Sequence, residues 1–181
     1  MDIQVRSGDR IHISGNNGSG KTTLVKLLLG ELEPTAGTIM RTGFSYLYID
    51  QECSVIDPRL TVFEQTERFN TGNWAEHELK SILNRYLFPY DTWDKGCACL
   101  SGGEKIRLLF CCLMIGNNAP DVFILDEPTN NLDIQSVEII TAAIKSYRGT
   151  VLLISHDHYF VKEIKINRSI KLFDTGSVIK I

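Results

Sequence analysis

Ile11-His12-Ile13-Ser14-Gly15-Asn16-Asn17-Gly18-Ser19-Gly20-Lys21-Thr22-Thr23-Leu24 is the stretch on which the fold turns. Its first four residues alternate apolar and polar, as a strand does. Glycines then break the strand into a loop. From about Lys21, Leu24, Leu27 and Leu28 fall on one face of a helix that runs out near Gly30. A strand, a Gly-x4-Gly-Lys-Thr loop and a helix, in that order, form the phosphate-loop arrangement. The glycines let successive backbone N–H groups point at phosphate oxygens, and the helix N-terminus adds its positive end. Lys21 suits the outer phosphates as a point charge, and Thr22 offers a hydroxyl to a bridging magnesium ion. Asn16, Asn17, Gly18, Ser19, Gly20, Lys21, Thr22 and Thr23 are therefore the candidate nucleotide contacts of this loop.

Working outward, Phe44 to Ile49 reads as a second strand. Two continuous apolar strands follow later, Val122 to Leu125 and Val151 to Ile154, with a helix between them marked by Val137, Ile140 and Ile144. This alternation argues for a parallel sheet covered on both faces. Ligands of such sheets collect at the carboxyl ends of the strands. Asp126 and Glu127 leave the first of these strands and His156 leaves the second. Asp126 suits a magnesium carboxylate, Glu127 the base that orients and deprotonates a water, and His156 a contact to the terminal phosphate. Two plainer readings compete: Asp126-Glu127 before Pro128 as a simple turn, and His156 as the cap of the next element. Ser155-His156-Asp157 is no hydrolase triad, because adjacent residues cannot face one another as nucleophile, base and orienter.

The section between Gln51 and Ser101 is helical. Thr61-x-x-Glu64 and Asn73-x-x-Glu76 have the form of capping pairs. Leu79, Ile82, Leu83, Tyr86 and Leu87 form an amphipathic face that stops at Pro89. Leu100-Ser101-Gly102-Gly103-Glu104 opens a second such helix, with Ile106, Leu109, Phe110, Leu113 and Met114 on one face, closing at Gly116-Asn117. A capping box accounts for Ser101 and Glu104. It leaves the two glycines unexplained, since each weakens a helix by roughly 0.5–1 kcal/mol relative to alanine. Glycines at an open helix N-terminus suit a close phosphate. The chain already has one phosphate loop, so a second anion site implies a second nucleotide. Ser169 to Ile181, with Thr175-Gly176 at its turn, reads as a closing hairpin.

The phosphate loop, Gln51, Leu100 to Glu104, Asp126-Glu127 and Ser155-His156-Asp157, in this order, resemble the ATP-binding-cassette (ABC) ATPases over almost the whole chain. The resemblance implies an α/β fold of the P-loop NTPase type, a three-layer sandwich with a mostly parallel central sheet and an inserted helical subdomain. It implies a single cassette over 1–181, with the α/β core in 1–52 and 97–181 and the helical subdomain in 53–96. It implies ATP and Mg2+ as cofactors, with Glu127 and His156 catalytic. Gln51 would contact the nucleotide and join Thr22 and Asp126 around the metal. Cassettes of this family pair head to tail. Ser101, Gly102, Gly103 and Glu104 would clasp ATP held by a second cassette, and Asp133 would lie in the loop crossing that interface.

Glu127-Pro128-Thr129-Asn130-Asn131-Leu132-Asp133 narrows the resemblance to the ABC-F group, where histidine is usual at the position of Asn131. Gly149-Thr150-Val151 leading to Ser155-His156-Asp157-x-Tyr159-Phe160 is similar to the same group, with His158 where an arginine is common. Such proteins are soluble, carry two cassettes in one chain and act on ribosomes, and some confer antibiotic resistance. The resemblance thus implies a second cassette and a ribosome with its tRNA as partners. The alternative is the ATP-binding subunit of a membrane transporter, with a membrane-spanning partner subunit. The family's upstream adenine-stacking aromatic and the first strands of its antiparallel β-subdomain have no place before Gly15. The expectation is therefore an N-terminally truncated cassette from a tandem protein, hydrolysing ATP weakly as an isolated monomer.

Bulk properties agree with these readings. The chain has 181 residues, 43% of them hydrophobic and 23% charged, the balance of one soluble globular domain. Its longest apolar runs are strand-sized, far from the roughly 20 residues that span a bilayer. Met1-Asp2-Ile3-Gln4-Val5 lacks the pattern of a secretion signal, so the cytoplasm is the expected location. A net charge of −3 gives no sign of a chain that coats nucleic acid by itself. The five cysteines lack the spacing of common zinc pairs and read as reduced, packed thiols.

Overall fold

The computed structural model describes residues 3–50, 53–116, 119–130 and 132–173, and the backbone of 178–180. In chain order the elements are β1 (Arg10–Ser14), α1 (Lys21–Leu29), β2 (Tyr46–Ile49), α2 (Val62–Arg68), α3 (Glu76–Arg85), α4 (Gly102–Ile115), β3 (Val122–Asp126), α5 (Ile134–Ser146), β4 (Thr150–Ile154), α6 (His158–Glu163), β5 (Arg168–Leu172) and β6 (Val178–Lys180). They fall into two compact units. Met1–Tyr48, Pro120–Asp126 and Gly149–Ile181 form the first, and Ile49–Ala119 with Glu127–Arg148 form the second.

The first unit is built on a sheet whose order is β2-β3-β4-β1-β5-β6. β1 runs parallel to both β4 and β5, and β3 runs parallel to β4. β4 is buried at all five residues, which is why its sequence is apolar without alternation. β1 alternates instead: Ile11 and Ile13 are buried and join Val25, Ile124, Leu152, Ile154, Ile170 and Leu172 in one cluster. Leu24 and Leu28 of α1 pack on that cluster, as their helical spacing predicts. α1 ends at Gly30, whose N–H closes the last turn on Leu27. β2 starts at Tyr46 and not at Phe44, and both aromatic side chains remain exposed. β6 pairs antiparallel with β5, giving the expected hairpin, and its Thr175-Gly176 turn lies outside the described residues.

The second unit is helical. Thr61 caps α2 through the predicted box: its hydroxyl accepts the Glu64 N–H, and the Glu64 carboxylate accepts the Thr61 N–H at 2.8 Å. The pair read at Asn73 and Glu76 does not form. Asn73 has a left-handed backbone (φ 55°), and α3 starts beyond it, with the Ala75 N–H bonded to the Glu78 carboxylate at 2.8 Å. Asn70 closes the preceding turn, its amide bonded to both the N–H and the carbonyl of Trp74. Leu79, Ile82, Leu83 and Tyr86 are buried as expected. Leu87 is not, because the helix has ended and its backbone is left-handed (φ 62°); Phe88 turns inward in its place.

From Pro89 the chain doubles back along the start of α2, with the Val62 N–H on the Lys95 carbonyl and the Phe63 N–H on the Trp93 carbonyl. That return delivers Leu100 to the head of α4. α4 packs against α2, α3 and α5. Its burial is therefore wider than one stripe: Leu108, Cys111, Cys112 and Ile115 are buried with Ile106, Leu109 and Phe110, whereas Met114 is exposed. Asn117, read as part of the helix stop, lies outside the described residues. All five cysteines are free thiols, four of them buried and Cys99 exposed.

Candidate nucleotide site

Parallel pairing brings three separate segments to one edge of the first unit. Ile13 of β1 and Asp126 of β3 both lie level with Ile154 of β4. The phosphate loop, the Asp126 carboxylate and Ser155-His156 therefore leave three neighbouring strands at the same end. Gly15 starts the loop at φ 151°, and a Cβ there would stand 2.5 Å from Ser19 Oγ and 2.7 Å from the Leu172 carbonyl oxygen. Only glycine fits. The Ser19 N–H closes a turn on the Asn16 carbonyl at 3.1 Å. Lys21 Nζ donates to the carbonyls of Gly15 at 2.8 Å and Asn16 at 3.0 Å. Ser19 Oγ is buried and has no hydrogen-bond partner. Asn16, Asn17, Gly18, Thr22 and Thr23 are exposed along the loop and the first turn of α1.

These features suit a nucleotide's phosphates. The loop offers a buried hydroxyl in need of a partner, a lysine whose bonds among the described residues are to neutral carbonyls, and an open helix start. Asp126, half-buried, accepts a hydrogen bond from Tyr48 Oη at 2.6 Å. His156 is exposed. It does not cap the next helix: Asp157 does, its carboxylate accepting the Phe160 N–H at 3.0 Å. The peptide just before His156 is fixed from β1, where His12 Nε2 donates to the Ser155 carbonyl at 2.9 Å. Tyr48 and His12 were not singled out from the sequence, because only the strand order reveals which side chains they meet.

The second unit carries the other candidates. Glu127 has a left-handed backbone (φ 50°), and its carbonyl accepts the Asn130 N–H at 3.2 Å. A turn is thus present, yet a non-glycine residue in that conformation is strained, and such strain concentrates at functional sites. Ser101 caps α4, with the Glu104 N–H on Ser101 Oγ at 3.2 Å and the Ser101 N–H on the Glu104 carboxylate at 2.7 Å. The other Glu104 oxygen pairs with Lys95 Nζ at 2.9 Å. Burial pushes the Glu104 carboxyl up. The Ser101 N–H, the Lys95 ammonium and the Ser101 hydroxyl more than offset it, leaving the group below the ordinary glutamate value.

Gly102 and Gly103 differ. A Cβ on Gly102 would meet nothing within 4 Å, whereas one on Gly103 would stand 3.2 Å from Leu132 Cδ2 and 3.4 Å from Ser136 Oγ. The second glycine thus has a packing reason of its own, the close approach of α4 to the start of α5. Asp133 caps α5: it accepts the Ser136 N–H at 2.8 Å and the Ser136 hydroxyl at 2.9 Å. The Ser136 N–H, then its hydroxyl, hold the Asp133 carboxyl below the usual range. Gln51 and Asn131 lie outside the described residues.

Residues 1–130 match the family profile described as ABC transporter. ABC transporter F family member 5 of Arabidopsis thaliana is 40% identical over 176 residues, which is 96% of this chain and 25% of that protein. Probable ATP-binding protein YbiT of Escherichia coli O157:H7 is 38% identical over 167 residues, 91% of this chain and 31% of its own length. The chain therefore spans between a quarter and a third of these relatives. Among solved structures, the archaeal ribosome recycling factor aABCE1, in complex with the ribosomal stalk protein aP1, superposes with a TM-score of 0.71. It is 29% identical over 92% of this chain and 32% of that one. A dimeric, post-hydrolysis ATP-binding cassette bound to ADP and Pi shares the fold at a TM-score of 0.72, with 21% identity over 98% of this chain and 88% of that one. Among the described residues, no helix is long and apolar enough to cross a membrane. Motif order, sheet topology and these likenesses agree, and the chain belongs to the ABC transporter family, with F-family proteins among its relatives.

Proposed function

We propose that this cassette binds ATP with magnesium and hydrolyses it as one of a head-to-tail pair, inside a longer cytoplasmic protein that acts on the ribosome. The convergence of the phosphate loop, Asp126 and His156 at one end of β1, β3 and β4 carries the reading. The loop N–H groups and Lys21 hold the phosphates. Thr22, Asp126 and Gln51 hold the metal, which when bound neutralises charge on the outer phosphates. Glu127 orients and deprotonates the attacking water, and His156 steadies the charge that develops on the terminal phosphate. Ser101, Gly102 and Gly103 serve the nucleotide of the second cassette, with Asp133 at the junction.

Pairing makes hydrolysis weak in the isolated monomer, with turnover rising faster than linearly in protein concentration. The ribosomal part is supported by the likeness to the ribosome recycling factor seen with a stalk protein. The central test is Glu127→Gln in the full-length protein. Turnover is expected to fall on the order of 10²–10⁴-fold while ATP binding persists; undiminished turnover removes Glu127 from its role. Failure of the ATP-loaded Glu127→Gln protein to co-sediment with ribosomes would reject the ribosomal assignment and leave the ATPase assignment standing.

A further inference from the structure

Tyr48 Oη donates to Asp126 Oδ2 at 2.6 Å, a short O–H···O hydrogen bond. The phenol stands on β2 and the carboxylate at the end of β3, its neighbour in the sheet. The Tyr48 ring packs, half-buried, against the apolar cluster of the first unit. Its ring is held by packing as well as by the hydrogen bond. A carboxylate offers about four acceptor positions on two oxygens. One neutral donor holds Oδ2, and the carboxylate keeps further acceptor positions for a cation or its water. A lysine or arginine in this place would also hold Oδ2, but its charge would oppose a cation. A phenol orients the carboxylate without adding positive charge.

We propose that Tyr48 is a positioning residue for the metal, holding Asp126 in the orientation that a hydrated divalent cation requires. The inference rests on the reading of Asp126 as the magnesium carboxylate and deepens it. The bond acts through Asp126, so its loss would act on metal recruitment and leave the grip of the loop on the phosphates alone.

The test is binding of a fluorescent methylanthraniloyl derivative of ATP to the protein, in EDTA and in a magnesium titration. The variants are Tyr48→Phe and Asp126→Asn. In Tyr48→Phe the magnesium midpoint is expected to rise about tenfold, the usual cost of removing a group that orients a metal ligand. Affinity in EDTA stays within about twofold of wild type. An unchanged midpoint, or an equal loss in EDTA and in magnesium, overturns the proposal; the second result would mark Tyr48 as a packing residue. If the wild type gains nothing from magnesium, or Asp126→Asn keeps the full gain, the reading of Asp126 itself fails, and with it this inference. Phenylalanine keeps the ring that packs on the core. Should that variant not fold, Tyr48→Leu, which also lacks the donor, is judged by the same two numbers.

Discussion

Substituting the two signature glycines one at a time separates packing from phosphate access. Gly102 is the first residue of α4, and an added Cβ meets no atom within 4 Å. Gly102→Ala should therefore stabilise the fold by about 0.4–1 kcal/mol, chiefly by restricting the unfolded chain. Gly103→Ala gains the same amount and loses more. Its Cβ would press on Leu132 Cδ2 at 3.2 Å and Ser136 Oγ at 3.4 Å. The leucine methyl can yield, but the Ser136 hydroxyl is tied to the Asp133 carboxylate at 2.9 Å. Overpacking costs about 1–3 kcal/mol, and one yielding neighbour of two places this site in the middle of that range. The net is a destabilisation of about 1 kcal/mol, so the two variants differ by roughly 1.5–2 kcal/mol. Equilibrium urea unfolding resolves this: with a slope near 2 kcal/mol/M, the midpoints separate by about 0.7–1 M. Both variants are expected to lose turnover in the paired protein, so activity and stability part company at Gly102. A Gly103→Ala protein as stable as Gly102→Ala would refute the tight contact between α4 and α5.

Two further outcomes are expected. The folded-state Glu104 carboxyl lies below its ordinary value, so its contribution to stability is complete above about pH 5 and is lost as pH falls through the lowered value. Urea midpoints measured between pH 3 and 6 should fall less steeply in Glu104→Gln than in the wild type; equal slopes would contradict the paired arrangement. A thiol-reactive chromogenic disulfide should label Cys99 rapidly in the native protein. It should label Cys53, pushed up to about 12 by burial, and Cys97, pushed up to about 11 by burial, only on unfolding, together with Cys111 and Cys112. Fast native labelling of two or more thiols would show that the helical unit opens readily.

The sheet was legible because apolar runs without alternation, such as Val151 to Ile154, have few other uses in a chain of this size. The strand ends beside which Asp126 and His156 stand were legible because each apolar run stops there. Helix boundaries were less so. Asn73-x-x-Glu76 has the letters of a cap, but Asn70 reaches forward to Trp74 and holds that segment as a turn, so the helix waits for Ala75. Leu87 has helical spacing, yet the chain turns left-handed there and spends the buried position on Phe88. On α4, counting Cys111 and Cys112 as apolar would have widened the predicted face. Contacts between strands distant in sequence, Tyr48 with Asp126 and His12 with Ser155, carry no local signal at all. The packing at Gly103 was hidden for the same reason, since Ser136 lies more than thirty positions away along the chain.

The carbonyl bonds of Lys21 bear on how affinity at the loop should be measured. Its ammonium donates to the carbonyls of Gly15 and Asn16. Recruitment is thus an exchange of neutral acceptors for charged ones, and the favourable part is only the difference between them. Removing the lysine leaves two carbonyls searching for donors as well as a phosphate without its cation. The measured loss in Lys21→Ala therefore sums two effects of opposite origin, one in the empty protein and one in the complex. A lysine variant alone overstates or understates the contact according to which state suffers more, and unfolding of the nucleotide-free protein supplies the missing half of the cycle.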